Sequence, residues 1–288
     1  MLEHLNPRPA RPSRVVVLGA GGFVGSAIAR RLATDGIASL PVTRKECDLL
    51  APDAASRLGG LIRATDSVVL VSAIAPARAA ADVTANVRMG EVVCQALGNV
   101  SPAHVVYVSS DAVYADDANP VTEQSCCHPS SLNGVMHLAR EVMLRTSVKA
   151  PLAILRPTLI YGAGDPHNGY GPDRFRRLAA KGEPITLFGN GEEQRDHVFI
   201  DDVAALAALV LTHRSQGIVN VATGTSHSFR TVAEKVVALA PRPVPVQGTA
   251  RKTPITHRHF DVTTTLKAFG TFRYTPLALG LERAAAET

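Results

Sequence analysis

Arg14-Val15-Val16-Val17-Leu18-Gly19-Ala20-Gly21-Gly22-Phe23-Val24-Gly25 is the stretch whose reading decides the fold. Residues 14–18 form a continuous, largely β-branched apolar run, the mark of a strand buried on both faces. Gly19, Gly22 and Gly25 follow in the pattern G-x-x-G-x-x-G, and residues 23–33 then take helical spacing. Glycines permit the tight turn and let backbone N–H groups reach a pyrophosphate at the helix N-terminus, where the dipole favours anions. Glycines also mark ordinary turns, so the informative fact is their place between a strand and a helix. The expected ligand is a dinucleotide cofactor, held by Gly19, Gly22, Phe23, Val24 and Gly25.

Outward from this unit, short apolar runs alternate with helical spacing. Strands are expected at residues 38–43, 67–73, 104–109 and 152–156, and helices at 53–63, 79–97 and 132–146. That alternation predicts an α/β chain with a Rossmann-type doubly wound parallel sheet. After residue 160 the sequence becomes rich in Gly, Asp, Asn, His and Pro, which reads as a long functional loop. The expected organisation is an arm over residues 1–13, an NAD(P)-binding Rossmann domain over 14–160, and a smaller C-terminal region over 161–288. This last region should be mainly a substrate-binding cap, partly interleaved with the Rossmann sheet.

Bulk properties narrow the class. With 288 residues and 46% hydrophobic content the chain can bury a sizeable core, and 19% charged residues argue against disorder. The net charge of +5 favours anionic partners. No basic stripe or aromatic–basic interleaving points to nucleic acid, and no apolar run is long enough for a bilayer. Cys47, Cys94, Cys126 and Cys127 lack metal-ligand spacing and read as reduced thiols of a cytoplasmic protein. Neither these nor His128, His167 and His197 suggest a metal. Beyond the second strand, Thr43-Arg44-Lys45-Glu46-Cys47-Asp48-Leu49 should meet the adenosine ribose. Arg44 and Lys45 suit the 2′-phosphate of NADP, whereas Glu46 and Asp48 keep NAD open.

Four ordered segments carry a resemblance. They are the glycine motif, Val105-Val-Tyr-Val-Ser-Ser-Asp-Ala-Val-Tyr114, Leu155-Arg-Pro-Thr-Leu-Ile-Tyr-Gly162, and Leu187-Phe-Gly-Asn-Gly-Glu-Glu-Gln-Arg-Asp-His-Val-Phe-Ile-Asp-Asp202. In this order the chain resembles the extended short-chain dehydrogenase/reductases of the NAD-dependent epimerase/dehydratase family, which act on nucleotide sugars. The resemblance implies that Ser110, four residues before Tyr114, is the catalytic serine beside the sugar oxygen. It implies Asp111 next to it, and cofactor contacts at Arg44, Lys45, Asp48, Leu49, Ala73, His137 and Pro157. Ala112 stands where the family's dehydratases carry Glu, which argues against elimination chemistry.

The family's Tyr-x-x-x-Lys should open the helix after Pro129. Aligned on Glu141, this chain has Asn133 at the tyrosine and His137 at the lysine. The i, i+4 spacing keeps both on one helical face, but an amide cannot serve as a phenolate and His carries its charge only partly near neutrality. Three readings compete: a rearranged proton path through His137, Ser110, Asp111 or a water held by Asn133; a natural non-catalytic binder; and an inactivating substitution of a parent tyrosine. A fourth makes His137 a satisfied helical histidine.

On the substrate side, Arg195 matches the family arginine at the sugar-nucleotide pyrophosphate, and Arg258 resembles a late arginine reaching the same phosphates. Asn168 falls where relatives place polar residues along the sugar. The expected function is a nucleoside-diphosphate-sugar epimerase or ketosugar reductase, an NAD(P)-dependent enzyme with NADP ahead of NAD and a nucleotide sugar as its partner. The alternative is an NAD(P)- and nucleotide-sugar-binding protein without turnover. Assembly stays open between monomer and homodimer.

Overall fold

A computed structural model describes residues 2–251 and 254–287. Its first half alternates strand and helix: β1 (Glu3–His4), β2 (Val15–Leu18), α1 (Phe23–Thr34), β3 (Ser39–Val42), α2 (Ala54–Leu61), β4 (Ser67–Leu70), α3 (Ala80–Val100), β5 (His104–Val108), α4 (Leu132–Ser147) and β6 (Leu152–Pro157). The second half runs β7 (Leu159–Tyr161), α5 (Pro172–Lys181), β8 (Ile185–Phe188), β9 (Gln194–Phe199), α6 (Ile200–Thr212), β10 (Ser215–Val221), β11 (Ser226–Ser228), α7 (Phe229–Ala238), β12 (Val246–Thr249), α8 (Thr263–Ala268) and α9 (Leu277–Ala286).

The central sheet has seven strands in the order β1-β10-β6-β5-β4-β2-β3. All pair in parallel except β1, which lies antiparallel on the β10 edge. The arm is therefore no loose extension: Glu3 and His4 add a strand, and the His4 ring bonds Ser215 Oγ at 2.8 Å. β10 belongs to this sheet although it lies far into the second half of the chain, as does the helix α6 that leads into it.

Alternate strand residues enter two separate cores, which explains runs without polar interruption. Val16, Val68, Val105 and Ile154 face Leu58, Val93 and Leu144 of α2, α3 and α4. Val15, Val17, Val69 and Leu155 face Ile28 and Leu32 of α1 and the α6 residues Val203 and Leu206. With both faces covered by helices, period-two alternation disappears from the sequence. The order reverses between β3 and β4 around β2, so a ligand crevice forms at the carboxyl ends of β2 and β4.

Smaller sheets, β11-β9-β7 and β12-β8, stand with α5 and α7 beyond that edge. Among the described residues, no helix is long and apolar enough to cross a membrane.

Candidate functional site

The glycine turn does its work at the crevice. Gly19 has φ +93°, and a Cβ there would stand 2.7 Å from the Ser72 amide nitrogen just beyond β4. A Cβ on Gly25 would overlap the Gly19 carbonyl oxygen. These two glycines let the turn close on itself and on the neighbouring strand. Gly22 differs: its backbone is extended, and a Cβ would meet only the Gly19 oxygen at 3.4 Å. The helix α1 that starts here has neither a side-chain cap nor an acid in its first turn. Its first N–H groups, including those of Phe23 and Val24, thus lack an internal acid, as a pyrophosphate site requires.

Past β3, both carboxylates are already engaged. Glu46 accepts from the Thr43 hydroxyl at 2.5 Å and the Thr43 amide at 2.8 Å, which hold its pKa below the usual range. Asp48 accepts from the Leu50 amide at 3.0 Å and pairs with Arg44 at 3.1 Å. Leu49 points into the core beside Leu58. Arg44, Lys45 and Glu46 all face solvent, and Lys45 is the one of the three whose side chain has no partner among the described residues. Ala73 follows β4 and Pro157 ends β6, at the same edge of the sheet.

At the end of β5 two serines take opposite roles. The buried Ser109 donates to Glu141 at 2.6 Å, and Glu141 is bound in turn by Arg156 at 2.6 and 2.9 Å. Ser110 opens a 3-10 turn over Asp111–Val113, with its Oγ accepting from the Ala112 amide at 3.1 Å and standing 3.5 Å from Asp111 Oδ1. Burial pushes the Asp111 carboxyl up, against the pull of Arg258. Gly134, in the first turn of α4, lets that helix press on the turn, for a Cβ there would overlap the Ala112 carbonyl. Asn133, the residue before Gly134, accepts at its Oδ1 from the Ala77 amide at 3.2 Å.

His137 does not sit as a lysine would. It is 6% exposed, with Nδ1 2.8 Å from the Tyr107 hydroxyl, and burial drives its pKa down to about 3. A neutral ring with one nitrogen occupied leaves only Nε2 for a cofactor hydroxyl, and no cation at this position. None of the five tyrosines replaces the missing phenol. Tyr107 is bound to His137, Tyr114 donates to Asn220 at 2.6 Å, and Tyr161 and Tyr274 have pKa values raised by burial. The Tyr170 hydroxyl accepts from the Phe188 amide at 3.1 Å.

The cap contributes three arginines. Arg195 Nη2 lies 2.5 Å from Glu193 Oε1, and its Nη1 donates to the carbonyls of Gln194 and Thr256. Asp111 and Arg258 lie close enough to bear on its charge. Arg258, expected at the phosphates, is instead a 7% exposed clamp. It donates to the Asp111 carbonyl at 3.1 Å and the Ala115 carbonyl at 3.0 Å, and pairs with Asp111 and Asp116 at 3.4 and 3.5 Å. With its donors facing these acceptors, it holds the Ser110–Asp111 turn. Asn168 accepts from Arg177 at 3.1 Å.

The third arginine, Arg251, escaped the sequence reading. It pairs with Glu193 Oε2 at 3.3 Å and donates to the Phe188 carbonyl at 3.3 Å. Phe188 itself is 58% exposed, a flat apolar surface beside the arginines. Among the described residues, no group of three or more His, Cys, Asp or Glu could hold a metal.

Comparison with known proteins gives the family and the fold. Over residues 15–222 the sequence matches the group described as the NAD dependent epimerase/dehydratase family. A dTDP-L-rhamnose 4-epimerase of Burkholderia thailandensis is 32% identical over 151 residues, which are 49% of this chain and 42% of that relative. This chain thus matches less than half of that relative's length. Among solved structures, MoeE5 in complex with UDP-glucose and NAD superposes with TM-score 0.81 at 24% identity, covering 95% of this chain and 98% of the other. A GDP-L-fucose synthetase from Naegleria fowleri bound to NADP reaches TM-score 0.86 at 16% identity, with 99% and 96% covered. The UDP-glucose 4-epimerase of Thermus thermophilus with NAD gives 0.80 at 21% identity, with 95% and 98% covered. These likenesses carry the fold, and the match over residues 15–222 carries the kinship: the chain belongs to the NAD dependent epimerase/dehydratase family.

Proposed function

We propose that the chain binds a nicotinamide dinucleotide at the turn 19–25 and a nucleoside-diphosphate sugar between Ser110 and Arg195. There it interconverts a sugar hydroxyl and ketone as an epimerase or ketosugar reductase. One observation carries this reading. The open N-terminus of α1 and the Ser110–Asp111 turn stand at the carboxyl ends of β2 and β5, one strand apart, with Arg195 beside Asp111. When bound, the cofactor exchanges hydride with the sugar carbon. The chain supplies orientation and proton contacts. Ser110 Oγ, which donates only a long 3.5 Å bond to Asp111 Oδ1, can turn that proton to the sugar oxygen, and the Asn133 amide NH₂ offers a further donor. Arg195 and Arg251 suit the diphosphate, and Phe188 suits the base. Solvent-facing Arg44 and Lys45, beside carboxylates already engaged, favour NADP over NAD. Solved relatives of this fold hold either cofactor.

A second reading, binding without turnover, draws on His137. The position that should carry a cation is a buried neutral imidazole, and Asn133 cannot ionise. Mass spectrometry of ligands released from the purified protein, followed by assay of the matching sugar nucleotide, separates the readings. A reductase consumes NADPH stoichiometrically, an epimerase isomerises the sugar with no net consumption, and a binder retains both ligands unchanged. Release of neither ligand class, with no binding on addition, would refute the proposal.

A further inference from the structure

Arg195 and Arg251 come from different segments, β9 and the stretch after β12, yet converge on one side chain. Each takes a different oxygen of Glu193: Arg195 Nη2 at 2.5 Å from Oε1, Arg251 Nη1 at 3.3 Å from Oε2. The three side chains are 21%, 21% and 16% exposed for Arg195, Glu193 and Arg251, so the cluster is largely shielded yet still open to solvent. A carboxylate held oxygen by oxygen between two guanidinium groups has the charge and the spread of an oxyanion ligand. Nor is the pairing saturated, because the buried Nε of Arg251 has no partner among the described residues.

Charge counting gives the consequence. Arg195, Arg251 and Arg258 face Glu192, Glu193, Asp111 and Asp116, so every guanidinium of the group already has an internal anion. A diphosphate cannot gain two free arginines here. It has to take them from Glu193, and the carboxylate must then turn towards solvent or stay as a repelling neighbour. A singly charged or neutral ligand cannot offset that loss, whereas a diphosphate with charge on two phosphoryl groups can.

We infer that Glu193 is a built-in competitor for the two-arginine fork, which makes it the residue that selects a diphosphate over weaker anions. The inference rests on the reading of Arg195 as a diphosphate contact. Glu193 does not touch the reacting sugar carbon; it acts through the arginines. Replacing it by the isosteric amide removes the competing charge while keeping length and hydrogen-bonding atoms.

Calorimetric titration of the full chain with inorganic pyrophosphate, UDP, dTDP and inorganic phosphate tests this, with wild type, Glu193→Gln and Arg195→Ala compared. Glu193→Gln should bind pyrophosphate and at least one nucleoside diphosphate about tenfold or more tightly than wild type. It should also gain affinity for phosphate, so that the preference for diphosphate narrows. Its ligand-free melting temperature should fall and recover on adding pyrophosphate, since the arginines lose their internal partner. Glu193→Ala, which lacks any acceptor, serves as a second variant should the amide hold the arginines apart, and it should show the same gain. Unchanged or weaker diphosphate binding in both variants, with loss in Arg195→Ala, overturns the competitor role and leaves the substrate reading intact. Absence of binding in all three proteins overturns both.

Discussion

His137 Nδ1 lies 2.8 Å from the hydroxyl of Tyr107, a residue of the central strand β5 that is 1% exposed. The pair ties α4 to the sheet and fixes the imidazole as a neutral group, its pKa pushed to about 3 by burial and then by the Arg140 charge. In the unfolded chain the same ring titrates near 6.5. Unfolding therefore takes up a proton below that pH. The contribution of His137 to stability is complete above about pH 6.5 and is lost as pH falls, by about 1.4 kcal/mol at about pH 5.5. Asp173 and Asp196, both raised by burial to about 6, act in the opposite sense over the same window. The clean measurement is thus a difference. Urea unfolding of wild type and His137→Gln should show a stability gap that narrows by about 1.4 kcal/mol between about pH 7 and 5.5. A gap independent of pH would mean that the ring is charged when folded.

The glycine turn separates a folding role from a binding role. Gly22→Leu should leave the melting temperature nearly unchanged, because a Cβ at this extended residue meets only the Gly19 oxygen at 3.4 Å. The larger side chain would stand over the open N-terminus of α1 and weaken NADH and NADPH binding by at least about tenfold. Gly25→Ala should instead destabilise the protein, since its Cβ would overlap the Gly19 carbonyl. Unchanged cofactor affinity in a folded Gly22→Leu protein would move the cofactor elsewhere.

Arg195→Ala should weaken nucleoside-diphosphate binding while nearly sparing cofactor affinity. Loss of a charge-assisted bidentate contact is worth on the order of 1.5–3 kcal/mol. Because Arg195 also holds Glu193 at 2.5 Å, part of the loss reflects a carboxylate left with Arg251 alone. Equal affinity for UDP and dTDP before and after the change would remove Arg195 from the substrate site.

Which parts of this molecule could be read from its sequence follows from the range of the interactions. The turn 19–25 is local, and the two-sided burial of Val15, Val16 and Val17 writes its own apolar run. Ser110 is assigned through the family resemblance, four residues before Tyr114, a tyrosine that is itself buried and bonded to Asn220. The clamp of Arg258 spans more than a hundred residues to Asp111 and Ala115, and nothing near Arg258 in sequence distinguishes it from a phosphate ligand. The Arg251–Glu193 pair likewise joins residues 58 apart. For His137, a helix position gives the face but not the depth. The depth shows only in the fold, where the ring is 6% exposed against the Tyr107 hydroxyl and burial holds its pKa low.

Asn133 is where chemistry should be limited, and the structure makes the test sharper. The close approach allowed by Gly134 holds the first turn of α4, which carries residue 133, against Ala112 in the turn after Ser110. Asn133→Tyr would return an ionisable phenol to this place, at the loss of the 3.2 Å bond from the Ala77 amide. That neutral hydrogen bond is worth about 1 kcal/mol, small beside the gain from general acid–base help of about 10²–10⁴-fold. Turnover of a sugar nucleotide that demonstrably binds should rise at least about tenfold in the variant. With a neutral His137 below it, the phenol lacks the cation that a lysine would supply, so it should ionise late and the restored rate should climb with pH through the alkaline range. Adding His137→Lys to the tyrosine variant should move that climb to lower pH, provided the double variant folds with the ammonium near Tyr107. A pH-independent gain would show the phenol acting only as a hydrogen-bond donor. No gain, with both ligands bound, would place the proton path at Ser110 and Asp111 and leave Asn133 as the anchor of the loop at Ala77.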